Sequence, residues 1–199
     1  MKKELLIGLF MLGASGLSQA ASTTYSDKAS WSSATSSYST IDFNAGTTDW
    51  VNRGSSYLES GVTFTAPDVY SVYDASYDAV YHNSGYLDLE GDSLGINFGS
   101  NITALSFDFG GFYDNPVSLI LNLINGEVFN LNAPTSAYGF FGITSDVGFS
   151  SISMTTTNSF TAFDNISFGE ASTSVPEPAT IALMGLGFAC MAARRRKSV

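Results

Sequence analysis

Residues 102–109 alternate, with Leu105, Phe107 and Phe109 on one face and Ser106 and Asp108 on the other. An apolar period of two fits a pleated strand buried on one side and excludes an amphipathic helix there. Val117, Leu119, Leu121 and Leu123 repeat the pattern, and Asn125-Gly126 separates them from the run Glu127 to Leu131. Asn-Gly between two strand patterns predicts a hairpin with a type I′ turn. Further strands are expected at Ser39 to Asn44, Gly61 to Ala66, Leu94 to Phe98, Phe149 to Thr156 and Thr161 to Phe168. One short helix is expected near the start, capped by Asp27, with Trp31 and Ala34 on a common face. Many short strands separated by turn residues predict an all-β, two-sheet antiparallel β-sandwich.

The two ends follow other rules. Lys2 and Lys3 precede an apolar run from Leu5 to Leu17, and Ser18 and Ala20 supply the small side chains signal peptidase requires. Residues 1–20 therefore read as an N-terminal signal helix, cleaved between Ala20 and Ala21. At the other end Val175, Pro176, Glu177 and Pro178 precede an apolar stretch over 179–193, and Arg194 to Lys197 follow. Fifteen helical residues reach about 22 Å, short of a ~30 Å hydrocarbon core, but thinning and snorkelling cations allow a transmembrane helix. The basic tail, residues 194–197, belongs on the cytoplasmic side, which places the domain spanning 21–174 outside.

That domain carries 16 Asp and Glu against only Lys28 and Arg53, a net of −14 in a chain whose total is −10. Nucleic acid and anionic lipid are excluded as partners, since phosphate binding needs clustered cations. The sole cysteine, Cys190, lies in the tail, so packing rather than a disulfide must hold the domain.

The tail, Val-Pro-Glu-Pro followed by a short apolar helix and an arginine cluster, resembles the PEP-CTERM sorting signal. It also resembles the C-terminal domain of some ice-binding proteins. The resemblance implies an exosortase substrate of a Gram-negative bacterium. Such a protein is anchored transiently in the inner membrane, recognised at residues 175–178, and passed to the cell surface or an extracellular polysaccharide matrix. Over 175–199 it implies a sorting unit rather than part of the domain. The domain is similar to a jelly-roll common among PEP-CTERM proteins, on the segments YSDKASW (25–31), IDFN (41–44), GVTF (61–64), ITALSFDFG (102–110), FFGITSD (140–146) and AFDNISFG (162–169). This implies a galactose-binding-like sandwich without naming its ligand.

Catalytic chemistry has little to work with. His82 is the only histidine, and zinc would need several His or Cys ligands. A non-enzymatic role is expected. Calcium is the better inorganic candidate, because oxygen ligands are plentiful. Alternation places Asp164 on the face of Ile166 and Phe168, where a buried carboxylate needs a cation or N–H donors. The jelly-roll resemblance implies a calcium between the first and last strands, and the matching positions are Asp42 or Asn44 with Asp164. Asp88, Glu90 and Asp92 read instead as a solvated acidic edge. Tyr70, Tyr73, Tyr77, Tyr81 and Tyr86 interleave with Asp74, Asp78 and His82. They form either a sugar-binding surface or an amphipathic core edge. The leading expectation is an exported, non-catalytic matrix or adhesion component that binds carbohydrate. A secreted polysaccharide hydrolase is the alternative, and an ice-binding protein a remote one.

Overall fold

The structure, a computed structural model, describes residues 22–44, 50–72, 85–111, 116–134, 138–157 and 160–172. The signal segment with its Ala20/Ala21 junction, Tyr73, Tyr77, Tyr81, His82 and the sorting segment 175–199 lie outside the described residues. Among the described residues no helix is long and apolar enough to cross a membrane.

In chain order the elements are β1 (Ser22–Tyr25), α1 (Lys28–Ser33), β2 (Thr35–Ile41), β3 (Val51–Glu59), β4 (Val62–Val72), β5 (Tyr86–Glu90), β6 (Ser93–Gly111), β7 (Val117–Leu123), β8 (Val128–Ala133), β9 (Gly139–Thr156) and β10 (Phe160–Ala171). Every strand pairing is antiparallel. Two strands are far longer than the sequence pattern suggested. Leu94 to Phe98 and Ile102 to Phe109 belong to one strand, β6, and Phe149 to Thr156 is the second half of β9.

These long strands make the sandwich. Ladder irregularities between Asn97 and Ala104 divide β6 into two halves, each paired with a different half of β9. The C-terminal half of β6 joins β10, while the N-terminal half joins β4. One layer therefore contains β1, the start of β9, the end of β6, β10 and, along the far edge of β10, β2 and β5. The other contains β8, β7, the end of β9, the start of β6, the start of β4, and β3. On one side β4 closes the stack by crossing from β6 to β5. The opposite side ends in β1 and β8, each paired along one edge alone among the described residues.

One apolar cluster fills the space between the layers. Val62, Phe64, Val69, Leu87, Leu105, Phe107, Val117, Leu121 and Ile143 are wholly buried in it. Phe107 meets Phe109, Phe141 and Phe163 at 5.6–5.8 Å between ring centroids. Each such side chain contributes about 1.5–3 kcal/mol by leaving water. A second anchor is Trp31 on α1, fully buried and donating its indole N–H to the Ile143 carbonyl at 3.2 Å. As expected, Asp27 caps α1, accepting from the Ser30 N–H at 2.8 Å. That bond holds its carboxyl below the ordinary value.

The β7–β8 hairpin forms where Asn125-Gly126 predicts it, with a different turn. Gly126 has φ +91°, whereas Asn125 is not among the residues with positive φ. Gly126 donates to the Leu123 carbonyl, and Leu123 donates to Glu127. This is a type I turn closed by a glycine bulge, so only one residue needs the left-handed region.

Candidate functional site

Cross-strand partners share a face of the sheet. Asn52 on β3 lies opposite Tyr70 on β4, Tyr70 opposite Asp88 on β5, Asp88 opposite Ala162 on β10, and Ala162 opposite Gly110 on β6. These five residues form a row across the outer face of one layer, turned away from the main core. Neighbouring members of the face are Tyr86, Glu90, Asp68, Asp108 and Asp164. Tyr86, Val72 and Ala162 form a separate apolar cluster, against which Tyr70 and Tyr138 pack.

An aromatic pair stands at one end of the row. Trp50 is 36% exposed, and its ring meets Tyr70 edge to face, 6.1 Å between centroids. The Asn52 side-chain amide donates to the Tyr70 hydroxyl at 2.9 Å and fixes that ring. Around the same edge, Arg53 donates to the Ser71 hydroxyl at 2.8 Å and lies 5.1 Å from the Tyr57 ring centre. Burial and the hydrogen bond to Glu59 push the Tyr57 hydroxyl up to about 12.

At the centre of the row is Asp88, fully buried, neither of whose carboxylate oxygens has a hydrogen-bond partner. Removal from water, and then the negative charge of Glu90, raise its pKa to about 7; the Leu89 backbone N–H opposes this weakly. The expectation of a solvated acidic edge at Asp88, Glu90 and Asp92 is thus corrected at Asp88, whereas Glu90 is half-buried and Asp92 is exposed. β5 runs between β4 and β10, and Asp88 is enclosed by partners on both sides.

Asp164 is buried, 2% exposed, but does not lie on the face of Ile166 and Phe168. Its register partner is Asp108, while Phe163 pairs with Phe109 in the core. Asn165, with φ +51°, is the bulge residue that reverses the alternation before Ile166 returns to the core. Its backbone N–H donates to Asp164 Oδ1 at 2.6 Å, and its amide bridges Asp164 Oδ2 (3.2 Å) and Asp108 Oδ2 (2.9 Å). N–H donors therefore satisfy the buried carboxylate. Asp42 is exposed and accepts from the Asn44 N–H at 3.2 Å, while Asn44 Oδ1 accepts from the Gly85 N–H at 2.6 Å. Side-chain oxygens of Asp42, Asn44 and Asp164 thus each accept from a protein donor. Among the described residues no group of three His, Cys, Asp or Glu side chains could hold a metal ion.

Of the tyrosines singled out by sequence, Tyr70 and Tyr86 lie on this face. Trp50 and Asn52 were missed, since β3 has no alternating apolar signal.

A family model described as the PEP-CTERM protein-sorting motif matches residues 174–197. The chain carries this sorting motif. As a PEP-CTERM-bearing chain it is marked for export and exosortase sorting. No curated protein matches it at a significant level. Among solved structures, the family 29 carbohydrate-binding module CBM29-2 (D114A variant) is 16% identical, covering 71% of this chain and 98% of the module, with a TM-score of 0.33. The catalytic unit of a thermostable GH87 α-1,3-glucanase from Streptomyces thermodiastaticus is 10% identical, with a TM-score of 0.40. That match covers 71% of this chain and 28% of the glucanase unit. Likeness this slight says nothing of function.

Proposed function

We propose that this protein is an exported surface or matrix component whose sandwich binds neutral polysaccharide without cleaving it. The Trp50–Tyr70 pair, braced by Asn52 on the outer face, carries this reading. Sugar rings offer C–H faces to aromatic side chains and hydroxyls to amides and carboxylates. Such a site pairs apolar surface with a few placed polar groups. Asp68 and Glu90 on the same face disfavour anionic polysaccharides by like-charge repulsion. The sorting motif supports delivery to the envelope, where such polymers lie, with signal peptidase and exosortase as processing partners.

The test is retention of the exported protein on a panel of neutral polysaccharides, with a polyuronate as comparison. Trp50→Ala is expected to weaken binding at least about tenfold, the scale of losing an aromatic anchor worth 1.4 kcal/mol or more. Binding that is absent from every neutral polymer, or unchanged by Trp50→Ala, refutes the proposal.

A further inference from the structure

On the open side of the sandwich, the start of β1 in one layer meets the β7–β8 turn of the other, and one side chain bridges them. Glu127 Oε2 accepts from the Ser22 hydroxyl at 2.6 Å and from the Asn125 amide at 2.7 Å. The Glu127 N–H donates to Asn125 Oδ1 at 3.1 Å, so the half-buried carboxylate is held in place. Its second oxygen, Oε1, accepts from no donor among the described residues.

Ser22 is the first residue of β1 and pairs with Ser145 on β9. One step back along β1, the antiparallel register falls on Asp146, which is exposed. Two carboxylates, one from each layer, thus flank the start of β1. No cationic side chain is placed with them: Lys28 begins α1 past the other end of β1, and Arg53 on β3 bonds Ser71. β7 and β8, with sequences VSLILNL and VFNLNA, bring no titratable group, and β6 brings the neutral Asn101 and Thr103 beside β9. Glu170 on β10, two strands from β9, is engaged by Thr103 at 3.0 Å.

We propose that signal-peptide removal supplies the missing cation: the α-ammonium of Ala21 pairs with Glu127 and Asp146 and ties β1 to the β7–β8 turn. Hydrolysis of the Ala20–Ala21 bond leaves the new carboxylate on the departing peptide. The amine stays on Ala21, protonated below its ordinary pKa of about 7.7–8.0. Adjacent Cα atoms lie about 3.8 Å apart, so this amine is within a side chain's length of the Ser22 hydroxyl that already touches Glu127. In the precursor the same nitrogen is a neutral amide, and the two carboxylates only repel one another. Cleavage therefore strengthens the side of the sandwich that β4 does not close. An amine that gains carboxylate partners on folding has a raised folded pKa. The added stability is present below about pH 7.7 and is lost as pH rises through the raised value.

The test uses the exported chain purified from cells that cleave the signal, its first residue read by N-terminal sequencing. Competitive acetylation across pH reports the α-amine pKa, which is expected to exceed that of a Glu127→Gln variant by roughly half a pH unit or more. Glutamine keeps an oxygen for Ser22 and Asn125, so the comparison isolates the charge. Asp146→Asn, at an exposed position, is expected to lower the amine pKa as well and serves where the first variant folds poorly. Complete acetylation of the amine should lower the urea midpoint of wild type near pH 7 and leave that of Glu127→Gln nearly unmoved. A first residue other than Ala21, equal amine pKa values in wild type and both variants, or equal loss on acetylation in wild type and Glu127→Gln each overturns the proposal.

Discussion

Replacing Asp88 by asparagine removes a titrating group with little change of shape. The carboxyl goes from its ordinary value of 3.8 to about 7 in the folded protein. A raised folded pKa means the native state holds its proton where the unfolded chain has lost it. The contribution is fully favourable below about pH 4 and is lost as pH rises through 7. Three units at 1.36 kcal/mol each give about 4 kcal/mol in all, of which about 3 kcal/mol is lost between pH 5 and pH 8. Against a typical stability of about 5–15 kcal/mol this is large. Urea unfolding, followed by fluorescence of the buried Trp31, is expected to show wild-type stability falling between those pH values. The midpoint should drop by roughly 1–2 M urea at an ordinary m-value. Asp88→Asn should lack most of that fall. The difference between the two proteins is the readout, since it cancels every group they share. Parallel pH profiles for wild type and variant would falsify the assignment of a buried, unpaired carboxyl at position 88.

A Cβ added at Gly142 would meet the Trp31 side chain at 2.7–3.0 Å, so Gly142→Ala should destabilise by about 1–3 kcal/mol, read from the same unfolding curve. Calcium against chelator is expected to leave the melting temperature unchanged, because Asp164 is already held by Asn165; a rise of several degrees that Asp164→Ala removes would restore the ion. In cells with an exosortase, Glu177→Ala should leave the unprocessed form in the membrane, checked by immunoblot; normal processing would dissociate residues 175–178 from recognition.

Local chemistry made parts of the fold readable in advance. Leu105, Phe107 and Phe109 announce a one-sided strand by their period, Asn125-Gly126 marks a reversal, and Asp27 announces a helix start. Register is a property of pairs, and a single residue can invert it. The bulge at Asn165 moves Asp164 off the face that alternation assigned to it, and no local pattern distinguishes that asparagine from an ordinary strand residue. Asp88 misled for a related reason: carboxylates at every second position look like a wet edge, and only the pairing of β5 with both β4 and β10 shows otherwise. Of the candidate site, Tyr70 was legible in composition. Trp50 and Asn52 came into view only when β3 was laid against β4. The sorting motif needed no tertiary context, because an enzyme reads it along the chain.

The position of β10 bears on when this domain can fold. It is the last strand in sequence, yet it pairs with β2, β5 and β6. A polypeptide passed through a membrane from its N-terminus delivers this strand at the end. Until then β2 lacks its partner and the outer row is split between β5 and β6. Only residues 172–174 separate β10 from Val175, at most about 10 Å of chain. Closure of the sandwich and arrival of the sorting motif at the membrane are therefore nearly one event. A chain whose sorting motif has emerged is thus one whose last core strand has emerged with it.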